Sequence, residues 1–577
     1  MLTAACGDAL GWPVEPRGQR VGGTSDLQPK LSFIEWVRRE GGGYAPFQRR
    51  VPAGAYSDDT QLMLAVARSL SRGDSWWEHL TRFELPAWTL YELGGGGAIK
   101  LAARGWAKGQ APWEAKKSGD RQRYFGAGAN GVAMRILPHA IFGAGDLKFD
   151  RVCERIVADG LTTHGHPRAL VGGLVAGYAM WSALRWSGKV HYGELIEDCL
   201  SERKAWSRLP ESALVPGWRE AAEEGLDAPL EVIWNQTCEE MSVLLSHCKE
   251  AIERGSLARD GDVLADLGAF GKEGGSGTRT AAAAIYLASR YVAKPAAGLL
   301  AAAFARRADT DTIACMTGAM LGAFSGDDRV EGLASDLQDG GYIHRLAAQV
   351  ASHEVDHAPR LDWPQQQKSR LTRKLADADT GETISLPLFG TSRVEATEYP
   401  QTKSANEIRI WWLSTELGQT LAITSIRKAA KRTQAVSDGK GSPTANRSGQ
   451  MSIENAAGVV QSTWSFLFVR NLPQALRLYR DLLGIPVRRA QDRSAVLAGN
   501  IVLEESAEKG ARRESFKAPG VVGVFVQPQT LVRLHSQLAE AGYRTSDIGP
   551  GRHGKRFRLQ DADGHVIEVF TSLPSAS

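Results

Sequence analysis

From Gln61 to Leu70 the apolar side chains Leu62, Val66 and Leu70 recur every fourth residue, the spacing of one face of a helix. A second stripe after Thr312 carries Ile313, Met316, Met320 and Phe324, with Gly318 and Gly322 small enough to admit a neighbouring helix. Both predict core helices, the methionines serving as packing rather than as a cofactor box. Such periodicity, in a background rich in Ala, Gly and Leu with very few alternating strands, runs through residues 1–360, which therefore read as all-α. The pattern changes at about residue 365. The stretches Thr383 to Leu388 and Ile408-Arg409-Ile410-Trp411-Trp412-Leu413 predict a small module with strands over 365–433, with no fold assigned. Neighbouring residues on a strand face opposite sides, so one of Trp411 and Trp412 is expected to be buried and the other half-exposed. Residues 434–458, which contain Ser437-Asp438-Gly439-Lys440-Gly441-Ser442-Pro443, read as a polar flexible linker. A further domain follows over 459–577. There a strand at Ser465 to Val469, a helix at Pro473 to Leu483 and strands to about Leu503 are repeated by Val521 to Val526, a helix at Thr530 to Ala541 and terminal strands, an internal βαβββ duplication.

The 577 residues are 43% hydrophobic and 23% charged, which excludes wholesale disorder and a fibrous class and, at this length, requires several domains. Lys and Arg number 69 against 65 Asp and Glu, and a net charge of +4 is too mild to identify a polyanion partner. Cys6, Cys153, Cys199, Cys238, Cys248 and Cys315 form no CxxC pair and no zinc-finger spacing, so they read as free, reduced thiols. The apolar stretches near 281–304 and 312–324 are broken by Arg290 and Lys294 or are too short for the ~20 residues of a membrane span. No membrane partner is expected, and a cytoplasmic protein is.

The candidate chemistry is acidic. Pro52 to Gln61 is a turn-rich approach that delivers Ser57, Asp58, Asp59 and Thr60 to the start of an apolar helix. A helix cap needs one such residue, and four consecutive oxygen-bearing side chains exceed that need. The run Asp309-Thr310-Asp311-Thr312 repeats the arrangement, and Asp309 and Asp311, two apart, point the same way from an extended backbone. Hard divalent cations take oxygen ligands of this kind, and two clusters can hold two ions that share a carboxylate. Three polar segments accompany them. Gly7-Asp8-Ala9-Leu10-Gly11 leads to an acid at Glu15, and Thr162-Thr163-His164-Gly165-His166-Pro167 supplies two imidazoles. Gly128-Ala129-Asn130-Gly131 has the small residues that let a pyrophosphate approach backbone N–H groups.

In this chain order GDALGxxxE, YSDDT, ANGVAMR, THGHP and DTDTIA strongly resemble the ADP-ribosylglycohydrolase family, over about residues 1–350. The resemblance implies an all-α domain with a cleft for two Mg²⁺ or Mn²⁺ ions, which hydrolyses the N- or O-glycosidic bond between ADP-ribose and a modified protein or nucleic acid. It implies that Ser57, Asp58 and Asp59 are ligands to one metal and that Asp309, Asp311 and Thr312 serve the other or bridge both. Glu15 matches the family's early acid near the scissile bond, and proton transfer falls to Glu15, Asp59 or Asp311. Gly128, Asn130, Gly131 and Met134 would line the ADP-ribose pocket, and His164 matches the substrate-side histidine. Where the family usually has Gly-Gly before its second acidic motif, this chain has Arg307-Ala308, which narrows the pocket or sets a cation near the pyrophosphate.

The C-terminal duplication resembles the α+β vicinal oxygen chelate fold of the glyoxalase and bleomycin-resistance superfamily, through Leu482-Leu483-Gly484 and Asp561 to Glu568. Metal-dependent members take four ligands from the strands. Here Trp464, Val502 and Val521 stand at three of those positions and only Glu568 is a possible ligand, which implies a non-metal binding or dimerisation module. Two alternatives accompany the hydrolase reading: a catalytically silent ADP-ribose-binding protein, and a lyase or dioxygenase centred on the C-terminal domain.

Overall fold

The structure, a computed structural model, describes residues 1–356, 367–428 and 465–570, with breaks inside these spans of which 506–520 is the longest. The linker at 434–458, Trp464, Gly484 and the stretch 561–565 lie outside the described residues. The chain forms two compact units, Met1–Arg432 and Thr433–Ser577.

In the first unit, helices α1 (Leu2–Gly11), α2 (Asp58–Leu70), α3 (Pro167–Arg185), α4 (Gly277–Arg290) and α5 (Thr310–Ser325) supply much of the buried core, and α6 (Gly340–Ala351) packs on α2. Both apolar stripes read from the sequence lie in that core: Leu62, Val66 and Leu70 on α2, and Ile313, Met316 and Met320 on α5. Helices α1 and α5 pack tightly together, and glycine makes it possible. A Cβ on Gly7 would stand 2.1 Å from the Ala314 carbonyl oxygen, and one on Gly11 would stand 2.3 Å from that of Thr310. Gly318 contributes from the other side, since a Cβ there would meet the Thr3 carbonyl oxygen at 2.4 Å.

Strands are not wholly absent from residues 1–360. An antiparallel hairpin joins β1 (Trp36–Glu40) to β2 (Phe47–Val51), with Trp36 opposite Val51. In β2 the burial alternates, but its middle inward position is Arg49, whose Nε and Nη2 donate to Glu40 at 2.8 and 2.9 Å. A buried, paired arginine hides the apolar alternation that betrays a strand.

Residues 365–433 do carry strands: β3 (Thr383–Leu386), β4 (Gly390–Glu398), β5 (Asn406–Thr415) and β6 (Thr420–Lys428) form an antiparallel meander in that order. Among the described residues the meander has no separate core. Leu386, Phe389, Trp411 and Leu413 join the helical core, while Ile408, Ile410 and Ala422 pack with Trp12, Trp36 and Phe47. Trp411 is buried, and Trp412 on the opposite face is half-buried with its Nε1 donating to Glu398.

The second unit holds two four-stranded sheets of identical order. One runs β7 (Ser465–Val469), β10 (Ile501–Glu505), β9 (Ser494–Leu497), β8 (Val487–Gln491), and the other β11 (Val521–Phe525), β14 (Val566–Phe570), β13 (Gly554–Gln560), β12 (Gly549–Gly551). In each, the first strand lies parallel to the last. A helical segment starting at Leu472–Leu476 and α7 (Pro528–Glu540) follow the first strands, so the unit is a paired βαβββ. Among the described residues no helix is long and apolar enough to cross a membrane.

Candidate active site

The contact of α1 with α5 sets the site. The end of α1 leads through Trp12-Pro13-Val14 to Glu15, and α5 begins one residue after Asp309. The Thr310 hydroxyl donates to the Gly11 carbonyl at 2.9 Å and ties the two segments together. Asp309 and Asp311 are therefore not on an extended backbone, because Asp309 flanks α5 and Asp311 is in its first turn. Their carboxylates nonetheless converge, since ligand oxygens of Glu15, Asp309 and Asp311 all lie within 4.8 Å of one another.

The acidic run at Ser57 to Thr60 is aimed by Asp8, a residue to which the sequence assigned no role. Asp8, fully buried in α1, accepts from the backbone N–H groups of Ser57 at 3.1 Å and Thr60 at 3.0 Å, and from the Thr60 hydroxyl at 2.6 Å. Ser57 Oγ accepts from Asp59 N at 3.2 Å and caps α2. The helix therefore begins with Asp58 and Asp59, both buried. Burial, then the charges of Glu92 and Asp8, push Asp58 up to about 7. Burial, then Asp8, Asp58 and Asp309, push Asp59 well above the carboxylate range. Asp311 is driven up by burial and then by Glu15 and Asp59.

A divalent cation suits this donor set. Hard ions prefer oxygen ligands, and Asp59 Oδ2 is buried with no hydrogen-bond partner among the described residues. Glu92, also unassigned from the sequence, approaches Asp58 from the loop before a glycine run and is paired with Lys100 at 2.9 Å. The signals were an acid inside an Ala/Gly helix and an acid before Gly94-Gly95-Gly96-Gly97. Asp8 stands in the GDALG segment with no role assigned to it, Glu92 stands in no such motif, and both reach the site through tertiary packing.

The segment around Asn130 lies beside these acids. Asn130 Nδ2 donates to Asp309 Oδ2 at 3.1 Å, and backbone bonds of 3.0 Å link Asn130 N to Gly275 O and Gly277 N to Gly128 O. A cleft of about 300 Å³ opens there, lined among others by Glu15, Gly274, Gly275, Arg307 and Asp309. Arg307 adopts φ +79°, a left-handed conformation that glycine takes without cost, and its guanidinium lies 5.2 Å from the Phe270 ring centre.

Met134 and His164 sit deeper. Met134 is part of the helical core. His164 is 1% exposed, its Nδ1 bonded to Thr163 Oγ1 at 2.7 Å, and a Cβ on Gly131 would come within 2.7 Å of its ring. Burial, then the Arg135 charge, push its imidazole down to about 3, so it is neutral. Arg135 couples the two segments: Nη1 donates to the Gly131 carbonyl at 2.8 Å, Nη2 to Thr163 Oγ1 at 2.9 Å, and Nε to Asp159 at 2.9 Å.

A family model described as ADP-ribosylglycohydrolase matches residues 1–359. Among solved structures, an ADP-ribosylglycohydrolase-related protein complex is 19% identical, covers 61% of this chain and 96% of its own, and superposes with a TM-score of 0.38. The fosfomycin resistance protein FosX from Listeria monocytogenes, complexed with Mn(II) and sulfate, is 12% identical over 20% of this chain and 92% of its own, with a TM-score of 0.17. A glyoxalase/bleomycin resistance protein/dioxygenase from Alicyclobacillus acidocaldarius is 19% identical over 19% of this chain and 88% of its own, with a TM-score of 0.16. No curated protein matches the chain.

Proposed function

Because the chain belongs to the ADP-ribosylglycohydrolase family, and so to the hydrolases of ADP-ribose linkages, we propose that its acidic cleft removes ADP-ribose from a modified protein or nucleic acid with the help of two divalent ions, Mg²⁺ or Mn²⁺. The observation that carries this reading is the convergence of Glu15, Asp309 and Asp311 within 4.8 Å at the cleft, with Asp59, whose Oδ2 has no hydrogen-bond partner among the described residues, close enough to feel the Asp309 charge. Asp58, Asp59 and the Ser57 hydroxyl would hold one ion, and Asp309, Asp311 and Thr312 the other. Bound there, the ions supply fixed positive charge that orients and polarises the hydroxyls of the distal ribose and a water.

The protein's own residues do the rest. Glu15 lines the cleft and is only partly buried, whereas Asp59 and Asp311 are buried, so Glu15 takes the proton as the water oxygen bonds to the anomeric carbon. The bond to the acceptor breaks, and the acceptor atom leaves with a proton returned from the same carboxyl group. Asn130 steadies Asp309 by its 3.1 Å bond, and the backbone of Gly128 to Gly131 suits the pyrophosphate. Arg307 adds a cation at the cleft, absent where glycine stands, which favours an anionic substrate over a neutral riboside. The second unit is a non-metal binding or dimerisation module. The six buried, unpaired cysteines fit a reducing compartment such as the cytoplasm.

The acceptor is identified by offering ADP-ribosyl-arginine, ADP-ribosyl-serine and ADP-ribosylated DNA and measuring free ADP-ribose. Release from at least one is expected. Tight binding of ADP-ribose without release from any would favour a silent binder. Retention of a tightly bound ion by residues 434–577 alone would instead move the chemistry to the second unit.

A further inference from the structure

The strand meander is joined to the acidic run by a short chain of hydrogen bonds. Tyr56, the residue before Ser57, donates its hydroxyl to Asp339 Oδ2 at 2.7 Å. The same carboxylate accepts from Thr420 N at 2.8 Å and, through Oδ1, from the Thr420 hydroxyl at 2.7 Å. Thr420 opens β6, and Asp339 flanks α6 with φ +61°, a left-handed conformation in which a non-glycine side chain is held only where its surroundings fix it. One residue earlier, Gln338 N donates to the Gly54 carbonyl at 3.0 Å, a second stitch to the approach loop.

The neighbouring residue grips the far half of the same helix. Gln419 Oε1 accepts from Arg68 Nη1 at 2.6 Å, and Arg68, buried on α2, is held on its other side by Glu84 through two bonds of 2.8 Å. Gln419 and Thr420, adjacent at the β5–β6 turn, therefore fix α2 at both ends. Ile408, Ile410 and Ala422 of the same sheet pack with Trp12, which leads to Glu15, and with Leu93, which follows Glu92. Three separate acid-bearing segments thus lean on one sheet.

We propose that the β3–β6 sheet is a working part of the acidic centre, and that the chain Thr420–Asp339–Tyr56 positions Ser57, Asp58 and Asp59 for cation binding. Asp339 and Tyr56 are positioning residues that touch no substrate. The inference rests on the reading of the acidic cluster as a divalent-cation site.

The test uses the full chain titrated with Mn²⁺, free ion being read by electron paramagnetic resonance and folding by thermal midpoint. Tyr56→Phe and Asp339→Asn are expected to weaken Mn²⁺ binding about tenfold, the scale on which residues supporting metal ligands act. Tyr56→Phe keeps the buried ring and removes the hydroxyl that bonds Asp339, so it reports even where Asp339→Asn fails to fold. Val394→Ala, on β4 and buried in the helical core but outside the hydrogen-bond chain, is expected to lower the midpoint and leave the Mn²⁺ affinity as in the wild type. Wild-type affinity in the folded Tyr56 and Asp339 variants, or equal weakening in Val394→Ala, would overturn the positioning role alone. A wild type that binds no Mn²⁺ would overturn the cation site beneath it.

Discussion

Asp59 shows how a functional residue works against the fold that holds it. The residue is 3% exposed, near Asp8, Asp58 and Asp309, with one carboxylate oxygen unpartnered among the described residues. A buried carboxylate among like charges costs the metal-free protein stability that a cation returns. Asp59→Asn is therefore expected to raise the metal-free thermal midpoint by about 2–5 °C and to abolish the upward shift that Mn²⁺ gives the wild type. Differential scanning calorimetry with and without the ion checks both halves. His164 sets a pH dependence of opposite origin. Its folded imidazole is pushed from 6.5 down to about 3, so over that interval the unfolded chain binds a proton that the folded chain excludes. Its contribution is complete above about 6.5 and lost as the pH falls toward 3. His164→Gln is expected to flatten that decline in urea midpoints measured across the interval. At this scale the sequence was readable where acids cluster in one run, as in Ser57 to Asp59 and Asp309 to Asp311. It marked Asp8 only as part of the GDALG segment, without a role, and did not mark Glu92, because the neighbours of both are supplied by other elements.

Among the elements, the α1–α5 contact ties stability to chemistry, because the carbonyl that crowds Gly11 belongs to Thr310, between Asp309 and Asp311. Gly11→Ala must push that backbone aside, and it is expected to cost about 2–4 kcal/mol and to weaken Mn²⁺ binding together with folding. Gly97, also helical but with nothing within 4 Å of an added Cβ, is the contrast. Gly97→Ala is expected to be neutral or stabilising by up to about 1 kcal/mol, as denaturant unfolding would show. The helices were legible because their apolar stripes repeat over several turns. The β1–β2 hairpin was not, because the inward position at its centre is an arginine made tolerable by Glu40. Trp411 and Trp412 were legible as a pair from strand alternation alone, since that rule needs no knowledge of the partners.

For the whole molecule, the change of composition near residue 365 marks a change of secondary structure without marking the end of a compact unit. Trp411 and Leu413 complete the helical core, and Ile408 and Ile410 cover Trp12, contacts between residues some hundreds of positions apart that no local pattern encodes. A chain ending at residue 432 is expected to keep a cooperative thermal transition and Mn²⁺ binding. One ending at 359 exposes that apolar surface and is expected to aggregate or melt well below the full chain, as light scattering during heating would show. At the scale of the whole chain, the function proposed is a metal-dependent hydrolysis at the acidic cleft. Its most direct test is release of free ADP-ribose from the preferred modified substrate, measured for the wild type with Mg²⁺ or with EDTA and for Asp58→Ala and Asp309→Ala with Mg²⁺. Release by the wild type that EDTA stops and both variants lose is the expected result. Release that persists in EDTA, or in both variants, would contradict it.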